Sequence, residues 1–597
     1  MPQTGINVNL LKADVAKRYN RVQMENCNST SASPVEGRFT RKTGVRVVAP
    51  AVIVLLAVFL RVYDLSQNPN GLQVDEASIS FVAYLVAETG MDERGERMPL
   101  YPRSTWNPKH PVYFYPALLS VRTLGLNEIS ARLPSVVFGV AAVAAVYFLA
   151  LELFSSGAAA LVAAFLLAVS PWHVHLSRWG IECPALPTVF TLSVLFLLKG
   201  IKGRSVYLLP GSVFAGLTFY TYPVALVFVP LFLLCALLIF RRDIAGKAGW
   251  AAVAGLIILS AYLPMFAGFF RTTDLDTYFS DSSIFGDRFQ NDSREYFEGG
   301  EGGIAELLAR SPHLRSAVAF VWNYAGYFSP GFLFLKGDNL TVRHGSGRFG
   351  VMHYFCIPFF IIGFLMLFVR PGPCGRLLLC WLLLFPVGAS LMDWPYHHAL
   401  RSAVALPCLQ IVTALGAVGF IEWLVAKKRK VAIVTLAVVS VVVAANLFVY
   451  FRYYFVEYPV VSAESFNYGM REAFEIMEKE NYGARIVTDR IPYIYSYLFF
   501  YVPPDRESVV RDPETGFLDV KATARNIGYE ICDVRVCMET SSHPAIVVAR
   551  PAQLPKGVYA RRAGPGRYSL KDYRYIKYMN NEPMLLLSVV DDVEDGK

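Results

Sequence analysis

Arg46-Val47-Val48-Ala49-Pro50-Ala51-Val52-Ile53-Val54-Leu55-Leu56-Ala57-Val58-Phe59-Leu60-Arg61-Val62-Tyr63 is the first long apolar run of the chain, and Gly71-Leu72-Gln73-Val74-Asp75-Glu76 follows it. A helical span needs about 20 mostly apolar residues. Carboxylates at a membrane boundary are costly, which marks the Asp75-Glu76 pair for function. Ten further runs resemble the first: Leu133–Phe154, Ala158–Ser170, Ala185–Leu198, Val206–Tyr222, Ala225–Phe240, Ala251–Phe270, Phe349–Val369, Leu377–Leu391, Ala403–Val425 and Val431–Phe451. The expectation is a mainly α, polytopic membrane protein of about eleven transmembrane helices.

Composition agrees. Of 597 residues, 54% are hydrophobic and 17% charged, with a mean hydropathy of +0.39. Soluble chains carry about 25% charged residues. The net charge of +9 sits largely in short basic clusters between apolar runs, which is how topology is encoded, and this argues against nucleic-acid binding. With the N-terminus inside, the clusters Lys199, Lys202 and Arg204; Arg241, Arg242 and Lys247; Arg370 and Arg376; and Lys427 to Lys430 all fall in the cytoplasm. A further span at Ala317–Leu335 would turn the last cluster outward, so that stretch reads as interfacial or re-entrant. Residues 1–45 are expected as a disordered cytoplasmic tail, 46–452 as the transmembrane body and 453–597 as an extracytoplasmic soluble domain. No cleavable signal peptide is read before the first run.

This sidedness leaves the loop Asp64–Arg132, the short segment Trp172–Glu182, the loop Arg271–Arg348 and the C-terminal region outside. In the last, Met470, Ala473, Phe474 and Met477 have helical spacing, and Ala484–Thr488 and Ala545–Ala549 read as buried strands, giving a small α/β domain. Cys532 and Cys537 are candidates for a small-loop disulfide there.

Four clusters of chemistry-bearing residues face the same side. Asp75 precedes the helical pattern Ala77–Thr89 and has two readings, a helix cap or a general base at a cavity between spans. Trp106-Asn107-Pro108-Lys109-His110-Pro111-Val112-Tyr113-Phe114-Tyr115-Pro116 presents Lys109 either as an interfacial cation over an aromatic belt or as a ligand of a lipid phosphate. Pro171 to Glu182 gathers His173, His175, Arg178 and Glu182, and Trp394 to Arg401 sets His398 and Arg401 one helical turn apart. Arg401 needs an anion, either a lipid phosphate or a carboxylate such as Asp393 or Glu182.

Leu72-Gln73-Val74-Asp75-Glu76-Ala77, the Gly90-to-Pro102 segment, Lys109-His110-Pro111, Ser130-Ala131-Arg132-Leu133-Pro134-Ser135, Ser170-Pro171-Trp172-His173, Phe332-Leu333-Phe334 before Gly337-Asp338, and His398-Ala399-Leu400-Arg401-Ser402 before Pro407 follow one another in an informative order. In content and order they resemble the GT-C membrane glycosyltransferases. The nearest groups are glycosyltransferase family 39 (protein O-mannosyltransferase-like) and the lipid A aminoarabinose transferases. The likeness covers roughly residues 45 to 450. It implies a GT-C fold with a large first extracytoplasmic loop and a polyprenyl-phosphate sugar as donor, of hexosyl or pentosyl type. The acceptor hydroxyl would belong to a protein, glycolipid or polysaccharide.

The resemblance further implies Asp75 as catalytic base with Glu76 beside it. Lys109, Arg401 and His398 would hold the donor phosphate, with His110, Tyr113, His173, Arg178 and Glu182 lining the site. His110 stands where relatives often have a proline. Transfer would invert the anomeric carbon, and the cationic clamp would replace a metal, so no cofactor is required. Some relatives bind a divalent ion, for which His110, His173, His175 or His397 would be candidate ligands, without zinc-type spacing. The competing class is a polytopic transporter or lipid flippase. No internal repeat supports it, and the charges gather at one face rather than at the midplane. A non-catalytic sensor is a third class.

Overall fold

The structure, a computed structural model, describes residues 43–592 except 106, 270–281, 300–301, 339–340, 370–371, 393–397, 481–482, 534–536, 538–544, 550–567 and 578–582. Most of the expected tail, together with Trp106, Asp393 and His397, therefore lies outside the described residues.

Among the described residues, six helices are long and apolar enough to cross a membrane: Glu128–Phe154, Ala185–Lys202, Ala248–Phe266, Pro373–Ser390, Leu400–Lys427 and Arg429–Ser462. Five shorter apolar helices accompany them: Val47–Val62, Gly157–Val169, Ser205–Thr218, Ala225–Ile239 and Cys356–Val369. Each apolar run of the sequence falls on one of these helices. The protein is mainly α and multi-pass, while length qualifies only the six. The helix Arg429–Arg452 is apolar all round, yet only Ala432 and Tyr450 on it are buried. A helix of that kind is at home in lipid rather than water.

Two stretches differ in detail from the apolar pattern. The run beginning at Phe349 is helical only from Cys356. Before that point the N–H groups of Gly350, Val351 and Met352 donate to the carbonyls of Phe334, Phe332 and Leu333, so the chain is tied across rather than wound up. The stretch Ala317–Leu335 divides between a helix, Pro312–Gly326, and a short π-helical turn, Gly331–Leu335.

The chain forms two compact units. The first comprises residues up to Tyr63, Val136–Ser177 and Cys183–Phe451, and it is helical. The second comprises Asp64–Ser135, Arg178–Glu182 and Arg452–Lys597. It contains helices α1 (Val74–Thr89), α2 (Pro111–Leu124), α3 (Met470–Lys479), α4 (Ile494–Tyr501) and α5 (Val520–Asn526). Its strands are β1 (Ala484–Thr488), β2 (Tyr529–Cys532), β3 (Ala545–Ala549), β4 (Tyr568–Lys577) and β5 (Pro583–Asp592), in the order β2-β1-β3-β5-β4. β1 runs parallel to β2 and β3, with Ile486 opposite Val547, and β5 runs antiparallel to β3 and β4. All five residues of β3 are buried, which suits the unbroken apolar run Ala545-Ile546-Val547-Val548-Ala549. Cys532 and Cys537 are disulfide-bonded.

One core serves both ends of this unit's sequence. Leu72, Phe81 and Leu85, on and just before α1, pack with Met470, Phe474 and Met477 of α3, Leu498 and Phe499 of α4, and Val487 and Val548 of the sheet. The rings of Phe81 and Phe499 are 5.0 Å apart. The helix that carries the acidic pair is thus held by the C-terminal domain.

Candidate active site

The start of α1 separates its two carboxylates. Gln73 caps the helix: its side chain accepts the Asp75 N–H at 2.6 Å, while Glu76 Oε2 accepts the Gln73 N–H at 2.9 Å. This is a capping box, so Asp75 is not spent on the cap. The Asp75 side chain is partly exposed, and among the described residues no hydrogen bond or ion pair engages its carboxylate.

Glu76 is fully buried. Its Oε1 accepts from Arg132 Nε and from the Gly180 N–H, both at 2.9 Å. Arg132 in turn donates to the carbonyls of Leu65 (2.8 Å), Pro69 (2.9 Å) and Gly71 (2.6 Å). A buried charge is tolerable when paired and hydrogen-bonded this fully. Both Glu76 oxygens are thereby committed to holding the chain that leads into α1.

Lys109 is 2% exposed and donates from Nζ to Asn107 Oδ1 at 2.7 Å. The next residue, His110, donates its backbone N–H to Glu182 Oε1 at 3.0 Å. Burial pushes the Glu182 carboxyl up to about 7, the Asp75 charge adds to this, and Lys109 and the His110 N–H oppose it. Burial and the Lys109 charge hold the His110 imidazole down at about 4, so it is neutral at physiological pH. Asp75, Lys109, His110 and Glu182 therefore form one electrostatic group.

Two other expected site residues are structural in their contacts. Tyr113 shares a 2.9 Å hydrogen bond with Ser135 Oγ, which donates to the Trp179 carbonyl at 2.6 Å. Arg178 donates from Nη2 to the carbonyls of Asp64 (3.0 Å) and Asn68 (2.8 Å) and lies 5.9 and 5.2 Å from the rings of Tyr454 and Phe455. Arg132 and Asn107 were not singled out by sequence reasoning. The signal for Arg132 was present, because an arginine entering an apolar run needs an anion.

His173, His398 and Arg401 belong to the helical unit. His173 Nδ1 is 2.7 Å from Arg61 Nη2. The His398 N–H donates to Tyr327 Oη at 3.1 Å, and the next N–H, of Ala399, donates to Asp338 Oδ2 at 2.9 Å. The His344 and His398 rings are 4.0 Å apart. Burial, then the charges of His344, Arg401 and Arg343, keep His398 well below the usual histidine range.

Asp338, His344 and His398 each offer one possible metal-ligand atom, all within 4.8 Å of one another. The bonds around them fit a divalent ion poorly. Arg343 Nε donates to His344 Nε2 at 3.2 Å, which leaves the ring proton on Nδ1, 3.3 Å from Asp338 Oδ2. Arg343 and Arg401 also add positive charge. Of the histidines expected as ligands, His175 bonds the Arg343 carbonyl at 2.7 Å and His173 meets Arg61, while His397 is outside the described residues.

Residues 107–267 match the family model of the dolichyl-phosphate-mannose-protein mannosyltransferases. In structure the chain is similar to ArnT from Cupriavidus metallidurans. Against the form bound to undecaprenyl phosphate the TM-score is 0.52 at 13% identity, covering 92% of this chain and 98% of that one. Against the apo form it is 0.50 at 14% identity, with the same coverage of 92% and 98%. The crystal structure of the Archaeoglobus fulgidus oligosaccharyltransferase tethered with an acceptor peptide gives 0.47 at 13% identity, covering 85% of this chain and 69% of that one. No curated protein sequence matches the chain. The fold is the ArnT-like GT-C fold, and the chain resembles the GT-C glycosyltransferases of the family 39 and aminoarabinose-transferase kind.

Proposed function

We propose that this protein is a glycosyltransferase that moves a sugar from a polyprenyl-phosphate donor to an acceptor hydroxyl, with inversion and with Asp75 as general base. The single observation that carries this reading is the contrast at the start of α1: Glu76 is locked, while the neighbouring Asp75 carboxylate is accessible and, like Lys109, acts electrostatically on Glu182. The likeness to a structure bound to undecaprenyl phosphate supports a lipid-phosphate donor.

In the reaction, the acceptor oxygen attacks the anomeric carbon while Asp75 takes its proton, and the bond to the phosphate oxygen breaks. Lys109 stabilises the charge that develops on the leaving polyprenyl phosphate, and the part given to Arg401 and His398 rests on the sequence likeness alone. Glu76 is a positioning residue that fixes α1 through Arg132. Glu182 tunes the charge around Asp75 and Lys109, and His110, Tyr113, His173 and Arg178 shape the surroundings.

In this reading residues 46–452 are the transmembrane body and 453–597 a soluble domain, with the chemistry on the extracytoplasmic side of the plasma or inner membrane and the N-terminus cytoplasmic. The acceptor is a protein, glycolipid or polysaccharide. The test uses native membranes, which retain the acceptor, supplied with labelled polyprenyl-phosphate sugars one at a time. Label entering a new product with wild type but not with Asp75→Asn supports the proposal, whereas turnover of no donor favours a transporter.

A further inference from the structure

A second acidic pair, Asp92-Glu93, lies between α1 and α2 and is 0% and 1% exposed. Asp92 closes a turn: Oδ1 accepts the N–H groups of Arg94 and Glu96 at 3.0 Å, and Oδ2 that of Arg103 at 2.8 Å. Glu93 reaches further. Its Oε2 accepts the Thr105 N–H and hydroxyl, each at 2.7 Å, and the Tyr495 hydroxyl at 3.1 Å. Tyr495 lies on α4 of the C-terminal domain, which makes two more bonds to the pair. The Leu518 N–H donates to the Glu93 carbonyl at 2.7 Å, and Arg511 Nη2 to the Asp92 carbonyl at 2.9 Å.

The segment gripped in this way ends at Lys109. Two residues beyond Thr105, Asn107 is held by Ser104, whose N–H donates to its carbonyl at 3.1 Å, and the Lys109 N–H donates to the Pro102 carbonyl at 2.7 Å. Asn107 Oδ1 then receives the Lys109 ammonium at 2.7 Å. Lys109 also acts electrostatically on Glu93, opposing the upward push of burial on that carboxyl. All three donors meet Oε2, while Oε1 has no hydrogen-bond partner among the described residues, so the burial of this carboxylate is only partly compensated. An apolar side chain could fill the core at less cost, but it could not take three donors and balance the lysine.

We propose that Glu93 and Tyr495 are positioning residues for Lys109, which makes the C-terminal α/β domain a working part of the donor-phosphate site. Contact passes from Tyr495, Leu518 and Arg511 to Asp92-Glu93, then through Thr105 to the turn at Asn107 that aims the ammonium. The proposal rests on reading Lys109 as a ligand of the lipid phosphate.

The experiment measures undecaprenyl phosphate binding to the purified full-length protein in detergent by thermophoresis. It compares wild type, Lys109→Ala, Glu93→Gln, Tyr495→Phe and the Tyr495→Phe/Lys109→Ala double variant, with thermal unfolding recorded alongside. Loss of a hydrogen bond that orders a binding group weakens binding by about three- to tenfold, which is the effect expected for Glu93→Gln and Tyr495→Phe. The double variant should bind no worse than Lys109→Ala, because both changes act through one ammonium. Equal binding by wild type and Tyr495→Phe, or additive losses in the double variant, would overturn the proposal while leaving Lys109 in place. Unimpaired binding by Lys109→Ala would instead remove the phosphate reading itself, and the proposal with it. If Glu93→Gln does not fold, Tyr495→Phe decides alone, since it deletes one hydroxyl.

Discussion

Arg132 Nε lies 2.9 Å from Glu76 Oε1, and neither side chain has any exposure. One residue earlier, the Asp75 carboxylate is accessible. Successive residues on a helix point about 100° apart, so the same turn that buries one carboxylate presents the other. Pairs of acids driven into different environments are how one fold assigns them different tasks.

Removing one member of this pair leaves the other charge buried. Glu76→Ala should destabilise the protein by about 3–5 kcal/mol through the uncompensated Arg132 guanidinium. Asp75→Asn, at an accessible position, should leave the melting temperature of the detergent-purified protein unchanged. Thermal unfolding of the two variants side by side checks the contrast, and equal losses would refute it.

Glu182 supplies a pH dependence whose sign follows from its raised pKa. Its carboxyl titrates at about 7 in the folded protein and at 4.5 when unperturbed. The folded state therefore keeps this proton longer than the unfolded state does. Its contribution to stability is full below the ordinary value and is lost as pH rises through about 7. Stability should decline across that window in wild type and flatten in Glu182→Gln. The same titration, next to Asp75 and Lys109, should place a break in the turnover profile near pH 7 that the variant lacks.

Gly180 has no room for a side chain. A Cβ there would stand 2.6 Å from the Ala131 carbonyl oxygen and 3.1 Å from Glu76 Oε1. Gly180→Ala must push back the segment that bonds Glu76, at a cost of about 1–3 kcal/mol for an overpacked site. Lower thermal stability together with reduced turnover is the expected result, and a wild-type melting temperature would contradict it.

Much of this was legible in the sequence because it depends on local pattern. The apolar runs announce the helices, β-branched runs announce β1 and β3, and an acidic pair ahead of a helical pattern announces α1. What escaped depends on contacts between distant residues. The Glu76 carboxylate is spent on Arg132 and Gly180, 56 and 104 residues away, which no spacing rule foresees. Arg178 was expected to line the site, yet it bonds backbone carbonyls. Gln73 took the cap although Asp75 is of a commoner capping type, because Glu76 completes the box from the N3 position. The role of Asp92-Glu93 depends on Tyr495, which is 402 residues from Glu93.

The most direct test of the central claim is sugar transfer by wild type and Asp75→Asn at matched amounts, with the labelled polyprenyl-phosphate sugar that wild type uses and saturating acceptor. A general base contributes about 10²- to 10⁴-fold, so turnover should fall by that much while donor binding persists. Turnover by Asp75→Asn within a few-fold of wild type would contradict the account.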